Sequence, residues 1–462
     1  MVKKLFRKKP IEDLLHKSNN LQLPKTLGAF DLILLGVGAI VGTGIFILPG
    51  TVSALHAGPG IIFSFVIAAI VCALAALCYS EFSSTVPVTG SAYSYSYIVF
   101  GEIIAWLVGW SLLLEYGLAT AAVATGWSGY FISLLEGLNI HIPLALTGPF
   151  NLEDGTYINL PAIFIIFVIG ILLTLGMKES ARFNALLVAI KVGVILLFIA
   201  VGVFYVKPEN WTPFLPFGMS GVFTGAALVF FAYLGFDAVS SAAEEVKNPQ
   251  RSMPIGIIGS LFICTLLYVV VSLVLTGIVP YTNLNVTDPV SFAMQVINQE
   301  WAAGIISLGA VIGMMTVILV MMYGGTRLLM AFARDGLMPK IFSQLSPKRK
   351  TPVKNTWFFT IVISFFAGFV PLETLAELVN MGTLVAFIFV SAGILNLRKN
   401  KNLPPNGFKV PFYPVLPIVS LVLCIFLITQ LSMQTWAACG IWFIIGLIIY
   451  FLYGKRKSTL NS

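Results

Sequence analysis

The sequence has few charged residues. Only 10% of its 462 residues are Asp, Glu, Lys or Arg, whereas a soluble domain has about 25%. Hydrophobic residues make up 58% of the chain, and the mean hydropathy is +0.95. Several apolar runs exceed the roughly 18–20 residues that cross a bilayer as a helix. Since alternating strands typical of a membrane barrel are absent, the composition predicts an all-α polytopic membrane protein.

The sequence also lacks the short motifs of several enzyme and pump classes. No CxxC pair occurs, and all five cysteines fall in apolar runs. This pattern favours small buried side chains over disulfides or a metal site. Neither HExxH nor GxxxxGK[ST] is present, so nothing indicates a metalloprotease or an ATP-driven pump. We therefore predict no metal and no cofactor.

Twelve apolar runs are long enough to be membrane spans. They lie near residues 28–49, 59–80, 103–135, 160–177, 183–206, 219–243, 255–279, 302–331, 356–371, 378–397, 412–431 and 435–453.

The placement of basic residues predicts the orientation of these spans. With the N-terminus inside, 25 of the 27 lysines and arginines fall in cytoplasmic segments, as membrane proteins prefer. We therefore expect a multi-pass protein of the cell membrane with both termini in the cytoplasm. The net charge of +8 then faces anionic membrane lipid, and no nucleic acid partner is needed to explain it.

The spans divide into two sets of five. Residues 28–206 hold the first set and 219–397 the second, and residues 412–453 hold the last two spans. The tails are residues 1–27 and 454–462. An odd number of spans per set makes the halves point oppositely across the membrane. The first span of each set is interrupted, by GVGAIVGTGIF (residues 36–46) and by FFAYLGFDAVSSAAEE (residues 230–245). Matching interruptions in two halves indicate the central site of a transporter.

The glycines of the first interruption allow two interpretations. Four of its eleven residues are glycine, and each costs roughly 0.5–1 kcal/mol in a helix interior. Gly38 and Gly42 form GxxxG, which favours close helix packing. Alternatively, the segment is unwound and its glycines leave room for a ligand to approach the backbone. The N–H groups of Thr43 and Gly44 would then suit a carboxylate, and carbonyls near Ile40 an ammonium.

The sixth span offers a mirrored set of backbone groups around Phe231, Ala232 and Leu234. The two sets together match the zwitterionic head group of an amino acid. The Phe231 ring could also close over the substrate as a lid, with ordinary helix packing as the alternative.

Two segments resemble the signatures of a transporter family. GAIVGTGIF (residues 38–46) and FFAYLGFDAVSSAAEEVKNPQRSMPIGI (residues 230–257) are similar to those of the amino acid–polyamine–organocation superfamily. They most resemble the bacterial branch of its cationic amino acid transporters, and the resemblance covers about residues 25–450. It implies a leucine-transporter-type five-plus-five inverted repeat, alternating access, and discontinuous helices 1 and 6. By motif, the carboxylate is bound by Thr43 and Gly44, and the amine by Ile40, Phe231, Ala232 and Leu234.

Lys191 lies near the midpoint of the fifth span, where an ionisable residue is costly and indicates function. It is about eight residues, or ~12 Å, from the inner end of the span, so extending to the surface would be awkward. A structural lysine bound to freed carbonyls is the alternative. In sodium-coupled relatives a sodium ion sits between spans 1 and 8, and in proton-coupled family members a similar lysine reaches that place. The resemblance therefore implies a coupling role, because a buried lysine can release its proton.

Other residues inside the spans leave their roles open. Glu115 in the third span either faces the substrate side chain or is bonded to a neighbouring helix. Met321 in the eighth span either lines the side-chain pocket, favouring a small apolar substrate, or is packing. Asp237 is expected to cap a half-helix. Glu244, Glu245 and Lys247 either belong to an inner gate or are simply solvated.

The sequence thus predicts a secondary active transporter that imports L-amino acids by proton symport. A sodium-coupled symporter or an amino acid exchanger of the same fold remains an alternative. The preferred amino acid, cationic or small neutral, and a small membrane subunit as a partner stay open. A remote alternative is an intramembrane serine protease, since GWSG (residues 126–129) matches GxSG. However, no histidine lies in a later span to act as the base for Ser128.

Overall fold

The polypeptide folds into helices, described here from a computed structural model. The structure describes residues 6–8, 26–86, 91–176, 181–241, 246–347, 351–399 and 407–461. Within these ranges the regular elements are helices, and β pairing is limited to isolated bridges. The predicted all-α class is confirmed.

The α-helices, numbered along the chain, are as follows. They are α1 (Ala29–Ile40), α2 (Thr43–Phe46), α3 (Leu48–Val52), α4 (Ile61–Thr85), α5 (Ser91–Val99), α6 (Glu102–Gly137), α7 (Leu160–Leu175), α8 (Ala181–Gly202), α9 (Gly218–Val229), α10 (Phe236–Ser241), α11 (Pro249–Ile278), α12 (Pro289–Val296), α13 (Glu300–Arg334), α14 (Val353–Phe369), α15 (Leu372–Leu397), α16 (Val415–Thr429), α17 (Met433–Ile449) and α18 (Lys455–Lys457).

Many of these helices are suited to a bilayer. Among the described residues, seven helical stretches are long and apolar enough to cross a membrane, and shorter apolar helices of 10–17 residues accompany them. The two longest, α6 and α13, have 36 and 35 residues, which is about 50 Å of helix. They exceed the ~30 Å hydrocarbon core, so they tilt or extend beyond it.

Packing places α6 at the centre of the bundle. It lies against α13 and α15, and most of its residues are buried. By contrast, α17 is largely exposed although it is apolar. Apolar side chains on the periphery suit contact with lipid, whereas the centre is where polar groups are found.

Helix ends follow local sequence signals. Asn159 caps the start of α7, its side chain accepting a hydrogen bond from the N–H of Ala162 at 3.2 Å. The helix stops at Gly176, which adopts a left-handed conformation with φ of 82°, as glycine does after helices. Ser432 caps α17 in the same way, accepting from the N–H of Thr435 at 3.3 Å.

Two helices fall in segments that the hydropathy pattern treats as linkers. Helix α5 alternates serine with tyrosine and α12 has eight residues, so neither reads as a span. Helix α5 is tied to the end of α13, because the Tyr93 hydroxyl donates to a carboxylate oxygen of Asp335 at 2.6 Å.

Both described ends of the chain lie at the same end of the bundle. The N–H of Glu102 donates to the carbonyl of Arg7 at 2.9 Å, and the Arg7 guanidinium donates to the carbonyl of Leu460. We name this end the terminal face and the other end the opposite face.

An ion pair braces the terminal face. The Arg398 guanidinium, after α15, donates to both carboxylate oxygens of Glu81 in α4, each at 2.7 Å. The N–H of Val410 donates to the same carboxylate at 2.7 Å. The Glu81 side chain is only 5% exposed, so the pair joins two helices and the segment after α15 through a charge-assisted, bidentate contact.

Removing one partner of this pair should destabilise the fold. We expect Arg398→Leu to cost about 1–3 kcal/mol, because it leaves the Glu81 carboxylate buried without its cation. The midpoint of thermal unfolding in detergent measures this. The double variant Glu81→Leu/Arg398→Leu should recover part of the loss, and Lys399→Leu, at an exposed neighbour, should unfold like the wild type. An Arg398→Leu midpoint equal to that of Lys399→Leu would contradict the brace.

Candidate functional site

The first apolar helix of the chain stops inside the protein. Helix α1 ends at Ile40, Val41 is extended with φ of −74° and ψ of 103°, and Gly42 precedes the start of α2 at Thr43. Residues 36–50 are all buried. The interruption therefore lies in the interior, and not at the surface.

A second interruption separates α9 from α10. A 3₁₀ turn, Phe230–Tyr233, follows α9, Leu234 is extended, and α10 begins at Phe236. Between them Gly235 has φ of 108°, a conformation that residues with a side chain rarely adopt. Glycine is therefore required here by the backbone itself.

The two interruptions contact each other. A Cβ atom built on Gly44 would lie 2.5 Å from the Cα of Ala232, and one on Gly235 would lie 2.9 Å from the carbonyl carbon of Ala39. Real Cβ atoms do not approach neighbouring atoms so closely. The glycines thus allow two backbones to meet, and so bring the polar groups of both interruptions to one place.

The third and eighth predicted spans close around the first interruption. A Cβ atom on Gly126 of α6 would lie 2.3 Å from the methyl carbon of Thr43. Gly42 faces Val317 of α13, whose methyl carbon would be 3.3 Å from a Cβ atom there. Met321 lies one turn after Val317 on α13, which places it on the same helix face.

Lys191 connects α8 to the first interruption. Its ammonium donates to the carbonyls of Gly38 at 2.8 Å and Val41 at 3.2 Å. The side chain is 1% exposed, and its stem packs on Gly313 of α13, where a Cβ atom would lie 3.0 Å from the Lys191 Cγ. The ammonium is therefore held between α1, α8 and α13, and it satisfies carbonyls that the end of α1 leaves free.

Tyr268 of α11 bridges both interruptions, and the sequence analysis missed it. Its fully buried hydroxyl lies 2.7 Å from the carbonyl oxygen of Ala232 and 3.1 Å from that of Ile40. These carbonyls are two of those expected to bind an amine. A tyrosine inside an apolar run was the available signal, because a buried hydroxyl needs a partner.

The structure groups Glu115 with Asp237 rather than with the first interruption. Both are buried, and the Glu115 carboxyl lies close to Asp237 and to Thr383 of α15. Asp237 is in the first turn of α10, where the helix dipole stabilises a carboxylate. Along α6, Glu115 is about three turns, or ~16 Å, from Gly126.

A cavity of about 330 Å³ opens between this site and the opposite face. Gly126 and Ile47 line its inner part, and His56 and Glu373 line its rim, where the imidazole and the carboxylate are 2.8 Å apart. Asp288 lies in the loop before α12, next to the cavity, and burial raises the pKa of its carboxyl to about 6. The cavity therefore extends from the rim at His56 and Glu373 to Ile47, which directly follows α2.

Of the remaining candidates from the sequence, Phe231 and Leu234 belong to the second interruption and Ser128 lies on α6. Ser128 donates to the side-chain oxygen of Asn159 at 2.6 Å, which leaves that hydroxyl engaged with an amide. Phe231 and Leu234 are each 5% exposed. Glu244 and Glu245 lie outside the described residues.

Comparisons with known proteins agree on one family. The family model described as "Amino acid permease" matches residues 27–452. The "Methylthioribose transporter" of Bacillus subtilis is 55% identical over 99% of both chains, and the "Branched-chain amino acid permease BcaP" of the same organism is 52% identical, again over 99% of both. "Cationic amino acid transporter 4, vacuolar" of Arabidopsis thaliana is 40% identical over 87% of this chain and 68% of the plant protein.

The contact between the interruptions makes Gly44 sensitive to substitution. We expect Gly44→Ala to lower thermal stability by about 1–3 kcal/mol, because the added methyl would press on the backbone of Ala232, and to weaken amino acid binding. Thermal unfolding and binding to the purified protein measure these effects. Gly193→Ala is the matched control, since no atom lies within 4 Å of a Cβ there. Equal behaviour of the two variants would refute the role of Gly44.

Proposed function

Because this chain belongs to the amino acid permease family, we propose that it is a secondary active transporter that imports L-amino acids by proton symport with alternating access. The family matches cover nearly the whole chain, and they confirm the resemblance found in the sequence. The protein is a transporter and not an enzyme. The observation that carries the coupling proposal is the position of the Lys191 ammonium at the end of α1.

The proposed topology has twelve membrane crossings with both termini in the cytoplasm. Seven membrane-length helical stretches and five shorter apolar helices in the described part of the chain support this number. The terminal face would be the cytoplasmic side, since the basic residues concentrate there in sequence. Residues 28–206 and 219–397 would form the inverted repeats, in the cell membrane. Contact between the interruptions in the first helix of each repeat supports that arrangement.

The amino acid head group would bind where the interruptions meet. N–H groups at the start of α2 favour a carboxylate, because the N-terminus of a helix carries partial positive charge. Carbonyls of both interruptions favour the ammonium. The proposed residues are Ile40, Gly42, Thr43, Gly44, Phe231, Ala232 and Leu234.

The hydrogen bonds of Tyr268 would change when the head group binds. In this conformation its hydroxyl hydrogen has two acceptors, Ile40 and Ala232, although a hydroxyl can donate only one hydrogen. An ammonium brings three donors and would share these carbonyls with the hydroxyl. Binding would therefore replace a single shared hydrogen bond by several and stabilise the contact between the interruptions.

Proton coupling would act through the Lys191 ammonium. While protonated, it links α1 to α8 and lies against α13, in the place that a sodium ion takes in sodium-coupled relatives. Loss of the proton to the cytoplasm would remove the charge from two of its hydrogen bonds and weaken them. The first half of the interrupted helix would then be free to move, which would open the site to the inside.

Met321 would contact the substrate side chain, and Glu115 would be reached only by a long one. Met321 lies on the face of α13 that carries Val317, beside Gly42, and a methionine there suits a small apolar side chain. Glu115 lies near Asp237, and this pair of carboxyl groups would favour the cationic end of a long substrate side chain.

The protein would also contact membrane lipid on the exposed side of α17.

A different substrate class is suggested by one relative, which is named for methylthioribose. That compound has neither a carboxylate nor an ammonium, so the backbone groups of both interruptions would not recognise it in the same way. Uptake into liposomes with the twenty amino acids and methylthioribose as competitors separates the two. Competition by methylthioribose alone would overturn amino acid import.

Lys191 provides the test of proton coupling. We expect Lys191→Ala and Lys191→Arg to lose proton-driven accumulation of the substrate, in the arginine case because a guanidinium stays protonated at any accessible pH. Uptake into liposomes with an imposed pH gradient, first in potassium and then in sodium buffer, measures this. Lys207→Arg, on an exposed lysine near the opposite face, is the control. A sodium requirement, or full accumulation by Lys191→Arg, would favour the sodium-coupled alternative or an exchanger.

Substrate selection provides the test of the side-chain pocket. Met321→Ser should allow amino acids with longer side chains to compete and should raise their apparent affinity by roughly tenfold or more. The substitution removes buried atoms whose packing contributes about 2–5 kcal/mol, and a longer substrate side chain can fill the space and recover part of that energy. Competition profiles for the twenty amino acids measure the change. Met322→Ser alters the adjacent buried methionine on another face of α13 and should keep the wild-type profile. Unchanged profiles in Met321→Ser would remove Met321 from the pocket.

A further inference from the structure

Asn380 of α15 holds the last turn of α9. Its side chain is fully buried, and the amide nitrogen donates to the carbonyls of Ala227 at 2.7 Å and Leu228 at 3.1 Å. Both carbonyls belong to the end of α9, just before the second interruption. The nitrogen must face them, because an amide oxygen in that place would meet two other acceptors.

The arrangement matches that of Lys191 at the other interruption. Lys191 binds the carbonyls of Gly38 and Val41, at the end of α1. In each case a helix stops inside the protein and leaves carbonyls at its negative end. In each case one side chain from a later helix donates to two of those carbonyls. In the proposed inverted repeat, α8 and α15 are the fifth spans of their halves, so the two donors occupy equivalent places.

The two donors differ in one chemical respect. An ammonium can lose a proton and with it its charge, whereas a carboxamide has no accessible titration. A proton can therefore change the hydrogen bonds at the end of α1 and cannot change those at the end of α9. The Asn380 side-chain oxygen has no hydrogen-bond partner among the described residues, so the nitrogen carries the contacts that hold this side chain.

We propose that Asn380 is a positioning residue that fixes the end of α9 for substrate binding and is the proton-insensitive counterpart of Lys191. This inference rests on the proposed function. It makes the two halves of the transporter unequal: proton release loosens α1 alone, while α9 keeps its attachment to α15. The head-group carbonyls that follow α9 then stay in place for the next substrate.

The test compares Asn380→Leu, Asn380→Asp and the control Asn355→Leu in liposomes with equal pH on both sides. It measures the exchange of labelled for unlabelled amino acid. Asn380→Leu should raise KM about tenfold, with less than about a twofold change in maximal rate, because the carbonyls lose their donor. Asn380→Asp should do the same at about pH 9, where a carboxylate faces two acceptors. Burial beside those acceptors raises the pKa of the carboxyl above the ordinary value of about 3.9, so at about pH 5 it is protonated and can donate again, and KM should return toward the wild type in this variant only.

Other titratable groups near α15 are common to all of these proteins. Glu377 lies one turn toward the opposite face and accepts from the Ser432 hydroxyl at 2.5 Å. Glu115 of α6 lies beside Thr383, one turn in the other direction. Expressing each KM relative to the wild type at the same pH removes their contribution, together with that of Lys191.

Asn355 supplies a matched control. It is also fully buried, and its amide nitrogen donates to the carbonyls of Thr326 at 2.7 Å and Phe342 at 3.3 Å, away from either interruption. Asn355→Leu should lower thermal stability and leave KM unchanged. A wild-type KM in folded Asn380→Leu, or a KM in Asn380→Asp that stays raised at about pH 5, would overturn the positioning role. Saturable exchange by the wild type would still support the proposed function in that case. Absence of saturable exchange by the wild type would overturn both.

Discussion

A helix that ends inside a membrane protein leaves carbonyl groups without partners, and the arrangement around α1 and α9 meets that demand. In hydrocarbon each unpaired backbone group costs several kcal/mol. Lys191, Tyr268 and Asn380 come from three other helices, and each lies within hydrogen-bond distance of two carbonyls at or just after the ends of α1 and α9. The positions of α8, α11 and α15 around the interrupted helices follow from this requirement.

The same interruptions require backbones to approach closely. Gly44 lies against Ala232, and Gly235 lies against Ala39 with a left-handed φ. The glycines cost helix stability but allow polar groups from two distant parts of the chain to point at one place. In the proposed site, backbone groups would bind the head group that all amino acids share, so selectivity for the substrate side chain would come from neighbouring helices such as α13.

The strongest polar braces lie on other helices and near the terminal face. Glu102, at the start of α6, accepts from the hydroxyls of Tyr450 at 2.9 Å and Ser458 at 2.5 Å. Glu81 binds Arg398 through two hydrogen bonds. Thus the ends of α4, α6 and α15 are fixed by carboxylates, whereas the end of α1 is held by Lys191 and Tyr268 and the end of α9 by Asn380. In the proposed alternating-access cycle, the braced helices would form a frame within which the interrupted helices move.

The sequence by itself determined the helical class, the approximate bounds of long helices such as α6 and α13, and the positions of both interruptions. Each of these depends on hydropathy or glycine placement within a short window of the chain. The sequence also singled out Lys191, since a lysine is conspicuous in an apolar run. It did not reveal Tyr268 or Asn380, whose apolar surroundings in sequence give no sign of their partners.

Only the tertiary structure decided which carbonyls these side chains contact, and that Glu115 lies near Asp237. Tyr268 and Ile40 are 228 positions apart, and Asn380 and Ala227 are 153 apart. Contacts over such separations depend on how whole helices pack, and no local pattern encodes that packing. Hydropathy and propensity act on neighbouring residues, so they fix where helices form and break, while the hydrogen bonds at the breaks are fixed by the assembled bundle.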